Sequence, residues 1–402
     1  MSERSKNCIT LLFSGNITRS RLAHIIKFLE ILSFWMLCIN IIVTRIEKEA
    51  LKDFYTYSRK LSSDKPQIKF MVLDTTLNST KKSLLRDTVI SITRLPKIRA
   101  LLKCDTLIVA GTINLANILI PRIIQPKNKI MVFAGGFSYM GVYISSFKNA
   151  IKRCFIYLIE FMHVLLSNYL LIEAPTMKNY IPVSKLVNII FKNKIVDYAN
   201  LHVEDFFFQG CEDLEARPYD LGYVGVLEER RCIKELMLLI KYLPKLIGKK
   251  VKVLIIGDGP LKYVLDNSVE KTMNQETLFI DYILPVPHFK LKDYYRKIKF
   301  LVFFTKSDGV PNTIIEAMAS CCIIISTPVG GIPSVIDNNV TGFIVHGENI
   351  VLRTLQLLKI LLCNNEIIRE IGILARQQVL RSFSKIPVQI KWKHILNMSS
   401  RM

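Results

Sequence analysis

Short runs of aliphatic and β-branched residues recur along the chain, and between them apolar positions fall at helical spacing. In the first half the runs are Ile9–Phe13, Cys38–Val43, Ile68–Leu73, Thr106–Val109, Ile130–Phe133 and Tyr169–Ile172. Continuous apolar runs of this length read as strands covered on both faces, as in a parallel sheet. Helical patterns lie between them, at Ser20–Ser33, Lys81–Lys103, Asn114–Ile123 and Lys148–Ser167. A second series follows, with strands at Leu221–Val226, Val251–Ile256, Leu278–Tyr282, Phe300–Phe304, Cys322–Ser326 and Phe343–Val345. Its helices fall at Ile233–Lys241, Leu291–Ile298 and Asn312–Ser320. Strands alternating with helices predict βαβ units and an α/β fold. The stretch Asp197–Asp220 is polar, acidic and irregular, and it divides the two series. The expected organisation is a Rossmann-like domain over 1–198, a linker over 199–219, a second Rossmann-like domain over 220–381, and a C-terminal helix over 382–402 that can cross back to the first domain. Two such domains are expected to face each other across a cleft, with ligands at the carboxyl ends of the strands.

Two segments have enough apolar residues to raise the question of a membrane span. Residues 25–43 contain Lys27 and Glu30, and residues 154–173 contain Glu160 and His163. A spanning helix requires about 20 residues almost free of charge, so each reads instead as an amphipathic helix running into a buried strand. His163 falls on an apolar helix face and reads as a packed core residue. No secretory leader is recognisable.

Composition narrows the class. Half of the 402 residues are apolar and the mean hydropathy is +0.30, which excludes intrinsic disorder. The nine cysteines are scattered, odd in number and without CxxC spacing, so they read as buried free thiols in a reducing compartment, which predicts a cytoplasmic protein. The net charge of +22 is uneven: residues 1–200 hold 29 Lys and Arg against 12 Asp and Glu, and residues 201–402 hold 26 against 21. A basic N-terminal half points to a phosphate-bearing ligand or an anionic membrane surface. Nucleic acid is not expected as a partner, because no zinc-finger spacing, aromatic-basic RNA motif or heptad zipper occurs. A Walker-type phosphate loop and zinc-ligand spacing are absent too.

The densest chemistry lies between Phe303 and Pro333. A buried strand ends near Phe304, a loop carries Asp308, Gly309, Val310 and Pro311, and a helix opens at Asn312 and Thr313. The amides at a helix start are unpaired and lie at the positive end of its dipole, which suits phosphate. Gly309 lets the backbone approach a ligand. Asp308 and Glu316 are eight residues apart, one at the helix mouth and one about a turn inside. Such carboxylates can hold two hydroxyl-bearing parts of one ligand with phosphate between them. No Asp-x-Asp occurs, so a divalent ion on a diphosphate has no obvious holder and no metal is expected.

The run from Asp308 to Ala319 (DGVPNTIIEAMA) resembles the nucleotide-sugar signature of family 4 glycosyltransferases, which have the GT-B fold. Pro328–Pro333 and Asn339–Val345 resemble the next strand and turn of that family. Gly225 with Arg231, Gly257-Asp258-Gly259-Pro260, and Pro287-His288 resemble its earlier motifs. The resemblance covers about 220–345 and is weak over 1–200. It implies a retaining, metal-independent transferase of polysaccharide biosynthesis that moves a hexose or related sugar from a nucleotide-diphosphate sugar to a glycan or lipid-linked acceptor. The nucleotide sugar is a co-substrate, and no cofactor is implied. Carried over, Glu316 meets the ribose hydroxyls, Asp308 the transferred sugar, and Arg231 the diphosphate. Gly225, Gly257, Gly309, Val310, Pro311, Asn312 and Thr313 line the donor. The family's usual Arg is Val226 here, so a catalytically weak or inactive nucleotide-sugar-binding protein is the competing reading. A sugar-nucleotide epimerase of the same fold fits the Ala-Met-Ala run less well.

Weaker candidates complete the reading. Gly15, in a loop after the first strand, and Gly135, Gly136 and Ser138, after Phe133, are expected on the acceptor side. His288 is read as a residue of a helix start, with a donor contact as the alternative.

Overall fold

The computed structural model describes residues 8–17, 19–36, 38–46, 50–53, 56–57, 67–74, 106–111, 119, 121–123, 129–134, 147–181, 189, 192–209, 211, 214, 216–266 and 276–398. The chain divides into two compact units, Met1–Leu201 with Val388–Met402, and His202–Pro387.

The first unit is built on seven parallel strands: β1 (Cys8–Ile17), β2 (Cys38–Ile46), β3 (Gln67–Asp74), β4 (Thr106–Gly111), β5 (Lys129–Ala134), β6 (Tyr169–Ile172) and β7 (Ile195–Val196), in the order β3-β2-β1-β4-β5-β6-β7. In the central strands Leu11 lies beside Ile41 on one side and Ile108 on the other, and all three are buried. Packing on both faces is why these strands read as unbroken apolar runs. The helix Arg19–Ser33 places Ile25, Phe28, Leu29 and Leu32 against the sheet. The C-terminal helix Lys385–Met398 adds Trp392 to the same core. The Trp392 ring is 4.7 Å from Phe28 between centroids, and its Nε1 donates to the Asn200 carbonyl at 3.0 Å, so the polar end of a fully buried indole is satisfied.

Both ambiguous apolar segments are helix-then-strand. Arg19–Ser33 precedes β2, and Phe147–Leu166 precedes β6. Among the described residues no helix is long and apolar enough to cross a membrane. His163 is buried on its helix, with Nδ1 2.8 Å from the Ile159 carbonyl. The helical pattern Lys81–Lys103 and most of Asn114–Ile123 lie outside the described residues.

The second unit has a six-stranded parallel sheet: β8 (Tyr219–Val224), β9 (Val251–Ile256), β10 (Leu278–Ile283), β11 (Ile298–Phe303), β12 (Ile323–Ser326) and β13 (Phe343–Ile344), in the order β10-β9-β8-β11-β12-β13. Helices Ile233–Ile247, Asn312–Ala319, Ile350–Leu361 and Asn365–Phe383 cover it. The strand order reverses beside β8, where β9 and β11 flank it, and such switch points leave a crevice at the carboxyl ends.

The segment expected as a linker differs. The first unit ends at Leu201, and much of 202–219 packs into the second. Val203, Phe207 and Leu214 are buried there, and Arg217 donates to the carbonyls of Ile298 and Ser320, each at 2.7 Å. Polar composition hid this packing, because Arg217 satisfies backbone groups inside the unit. The cysteines differ as well. Cys211 and Cys321 form a disulfide across 5.6 Å between Cα atoms, and Cys154 and Cys363 are exposed. The entering segment passes the end of the Asn312–Ala319 helix, which brings together two thiols 110 residues apart in sequence.

Candidate donor site

The site is built at the carboxyl ends of β8, β9, β11 and β12. After β11 the chain turns at Thr305, whose amide donates to the Thr327 hydroxyl oxygen at 3.0 Å and whose carbonyl accepts from that hydroxyl at 2.7 Å. This pair ties the loop after β11 to the end of β12. Four residues on, the Gly331 amide donates to the Gly309 carbonyl at 2.8 Å. Gly330 has φ +62°, and a Cβ on it would lie 1.8 Å from the Asp308 carbonyl oxygen. The 328–331 turn therefore fits flush against the backbone that carries Asp308.

Pro311 supplies the extended residue before the Asn312–Ala319 helix, and its carbonyl accepts the first helical bond, from Ile314 at 3.0 Å. Asn312 and Thr313 occupy the opening turn, where amides lack helical acceptors. Val310 is partly buried against the core beneath.

Gly225 and Gly257 belong to a second interlock. The Gly225 amide donates to the Ile256 carbonyl at 3.0 Å, and the Leu227 amide to the Asp258 carbonyl at 2.9 Å. A Cβ on Gly257 would lie 1.9 Å from the Gly225 oxygen, so the loops after β8 and β9 touch through backbone.

Asp308 and Arg231 come together. The Arg231 guanidinium bonds Asp308 Oδ2 and lies 4.5 Å above the Phe303 ring, with the side chain largely buried. Its Nε is buried without a hydrogen-bond partner. Arg230 adds a second cation, 3.8 Å from Asp308, and is held by Glu228 at 2.5 Å and by the Ser307 carbonyl at 3.1 Å. Val226 follows β8, half-exposed, and its carbonyl accepts from the Tyr223 hydroxyl at 2.8 Å.

Glu316 lies one turn into the helix and is buried. His288 Nε2 is 2.7 Å from its Oε1, and the Tyr295 hydroxyl donates to its Oε2 at 3.4 Å. Burial and the facing Glu316 carboxylate push the Tyr295 hydroxyl well above its ordinary value, so Tyr295 stays a donor. Glu204 Oε1 lies 3.8 Å from the other ring nitrogen of His288. Glu204, His288 and Glu316 each bring a ligand atom within 4.8 Å of the others, the spacing of a three-ligand cation site.

Sequence reasoning missed several of these partners. His288 opens the turn His288–Lys290, as expected of a helix-start residue, and its ring reaches Glu316. Glu204 lies in the segment expected as a linker, and no motif marks Arg230. On the other unit, Gly15 is not in a loop: β1 continues to Ile17, with an irregularity in register between Phe13 and Asn16, because Ser14 still pairs with Gly111 of β4. Gly135, Gly136 and Ser138 lie outside the described residues.

Residues 212–372 match the family model described as glycosyl transferases group 1. Over 112 residues the chain is 29% identical to the phosphatidylinositol N-acetylglucosaminyltransferase gpi3 subunit of Schizosaccharomyces pombe, covering 27% of this chain and 24% of that one. Over 179 residues it is 26% identical to the poly(ribitol-phosphate) alpha-N-acetylglucosaminyltransferase of Staphylococcus aureus, covering 43% of this chain and 35% of that one. The matches thus span about a quarter to a third of those relatives' own length. Across 97% of this chain and 99% of the other, the fold is similar to that of Anabaena Alr3699/HepE, with a TM-score of 0.69 at 8% identity; that protein is described in complex with UDP and with UDP-glucose. Residues 212–372 thus carry the signature of the group 1 glycosyltransferases, which runs from the switch point of the second sheet through the Asp308–Glu316 helix start, and the two Rossmann-like units have the GT-B fold.

Proposed function

We propose that the chain transfers a hexose or related sugar from a nucleoside-diphosphate sugar to a glycan or lipid-linked acceptor, with retention at the anomeric carbon and without metal. The observation that carries this reading is the pair of carboxylates flanking one helix start, Glu316 buried inside it and Asp308 at its mouth beside Arg231. The inner carboxylate suits the ribose diol and the outer one the hydroxyls of the transferred sugar. Between them the amides of the opening turn suit the diphosphate. As the glycosidic bond breaks, negative charge grows on the diphosphate leaving group, and fixed donors aimed there stabilise it. Arg231 and Arg230 are the cations at hand, and Val226 supplies none. UDP is the favoured nucleotide, because the similarly folded Alr3699/HepE is described with UDP and UDP-glucose. The names of the two relatives support N-acetylglucosamine as a first sugar to try.

The acceptor reading adds a membrane surface. On the helix Phe147–Leu166, Ile151, Phe155 and Leu158 are exposed on one face, with Lys152 exposed beside them. An apolar stripe edged by cations suits anionic headgroups, and this supports a peripheral site on the inner membrane face with a lipid-linked acceptor.

Val226 favours one alternative, a binder that does not turn over. The deciding experiment incubates the protein with a panel of UDP-sugars and a membrane lipid extract, with and without EDTA, and follows UDP release and product mass. Release and a glycosylated product that survive EDTA are expected. Thermal protection by UDP-sugars with no UDP release would establish the binder, and recovery only on added Mg²⁺ or Mn²⁺ would overturn metal independence.

A further inference from the structure

The buried carboxylate of Glu316 is held from two sides. His288 stands on the turn after Pro287, and its Nε2 is 2.7 Å from Glu316 Oε1. The Tyr295 hydroxyl reaches Oε2 at 3.4 Å from the helix Leu291–Tyr295. A carboxylate offers about four lone-pair sites, so these two contacts fix its plane and leave acceptor capacity for a ligand. The imidazole is itself oriented. Glu204 Oε1 lies 3.8 Å from Nδ1, and the rings of Phe206 and Phe207 meet it edge-on at 6.1 and 5.2 Å between centroids. The Glu316 side chain is 4% exposed and that of His288 39%, so the histidine links the inner carboxylate to the surface of the site.

We propose that His288, held between Glu204 and Glu316, is a positioning residue that fixes the inner carboxylate in the orientation that accepts the vicinal ribose hydroxyls of the donor. This rests on the reading of Glu316 as the ribose-binding carboxylate. The physical reason is that a buried carboxylate must keep hydrogen-bond donors or turn toward new ones. With His288 removed, Glu316 retains only the longer Tyr295 contact and is free to rotate about its side-chain bonds. The partner that orients a ligating group then counts nearly as much as the group itself, as in metal sites where one carboxylate fixes a histidine. Glu204 plays that orienting part for the imidazole, because a carboxylate at Nδ1 favours the ring orientation that directs Nε2 at Glu316.

The test measures dissociation constants for UDP and for 2′,3′-dideoxy-UDP, which lacks both ribose hydroxyls, by calorimetry on the full chain. The wild type is expected to prefer UDP by about tenfold or more, the worth of a charge-assisted hydrogen bond. H288A is expected to lose most of that preference by weakening UDP alone, with dideoxy-UDP affinity nearly unchanged. H288Q, whose amide can donate to Oε1, keeps most of it. E316Q loses it, and the double variant is no worse than E316Q. A preference that survives in E316Q overturns the ribose reading of Glu316. A preference lost in E316Q but intact in H288A, or an H288A that weakens both ligands equally, overturns the role of His288 alone. Should H288A fail to fold, H288Q and H288N carry the test: the longer amide reaches Oε1 and the shorter does not, so equal preference in both overturns the proposal.

Discussion

Gly330→Ala is the substitution that tests how the Asp308 loop is placed. Two costs can be worked from the structure. Gly330 has φ +62°, and an L-residue in that region costs roughly 1–2 kcal/mol. The new Cβ would also lie 1.8 Å from the Asp308 carbonyl oxygen and 2.8 Å from its carbon. Those atoms are backbone, so no rotamer change relieves the contact, and one loop must move by more than an ångström. The adjoining Gly331–Gly309 bond, 2.8 Å in length, is then strained or lost at about 0.5–1.5 kcal/mol. The expected loss is about 2–4 kcal/mol, or roughly 5–15 °C in melting temperature for a unit of this size. Gly248→Ala is the matched control. It has φ +64° and nothing within 4 Å of its Cβ, so it carries the backbone cost without the clash. Differential scanning calorimetry should therefore show G330A well below G248A. UDP-sugar affinity should fall in G330A, because Asp308 moves, and stay near wild type in G248A. Equal melting temperatures for the two variants, with unchanged UDP-sugar affinity in G330A, would refute the claim that the 328–331 turn sets the position of Asp308.

Three further outcomes are expected. Burial pushes the Cys232 and Cys322 thiols up to about 11, so a maleimide at pH 8 should label Cys154 and Cys363 and spare those two, as peptide mass mapping would reveal. Because both folded values lie above the unfolded value near 9, the stability they contribute is complete below about pH 9 and lost as pH rises toward 11; a urea midpoint that does not fall over that window would contradict their burial. Co-sedimentation should bind the protein to anionic vesicles at low salt and release it as salt rises, with Ile151→Asp and Phe155→Asp weakening binding; indifference of the wild type to lipid charge would remove the membrane face. Asp308→Asn should bind free UDP more tightly than wild type and discriminate less among UDP-sugars, and calorimetry showing weaker UDP binding would reverse the sign assigned to that carboxylate.

The central strands were legible because they are packed on both faces. Unbroken runs such as Val251–Ile256 and Tyr169–Ile172 coincide with their strands residue for residue. The two-residue β7 was not, because two apolar residues carry no period. The Asp308-to-Glu316 corner was legible from its spacing and its Gly and Pro, which force a turn before a helix. What stayed hidden depends on contacts between segments distant in sequence. Glu204 and His288 meet across 84 positions, and Cys211 and Cys321 across 110. Arg217 and Phe207 looked like linker residues because local polarity says nothing about which backbone carbonyls an arginine will satisfy. Hydrophobic periodicity reports burial along one element, and the site is made of partners from four.

The question raised by Val226 turns on charge balance rather than on a missing residue. Around the helix mouth, Arg230, Arg231 and Lys306 stand against Glu228, Asp308 and Glu229. Three cations and three carboxylates leave that cluster without a net charge to offer a diphosphate. Attraction must therefore come from the helix-start amides, which carry partial positive charge without a counter-ion. Arg231 has a second asset, a buried Nε with no partner, which a phosphate oxygen could satisfy if the guanidinium turns from Asp308. Its planar fork over Phe303 allows such a turn while keeping its stacking. Asp308 would then be released to the hydroxyls of the sugar at the moment the guanidinium meets the leaving group. In that arrangement the arginine is held back by a carboxylate until a sugar competes for it, so a free nucleotide gains less from Arg231 than a nucleotide sugar does. On the proposed function, Val226 in place of the family's usual arginine would weaken the hold on the diphosphate in the ground state, and the coupling of Arg231 to Asp308 would direct what cation remains toward the step in which charge develops.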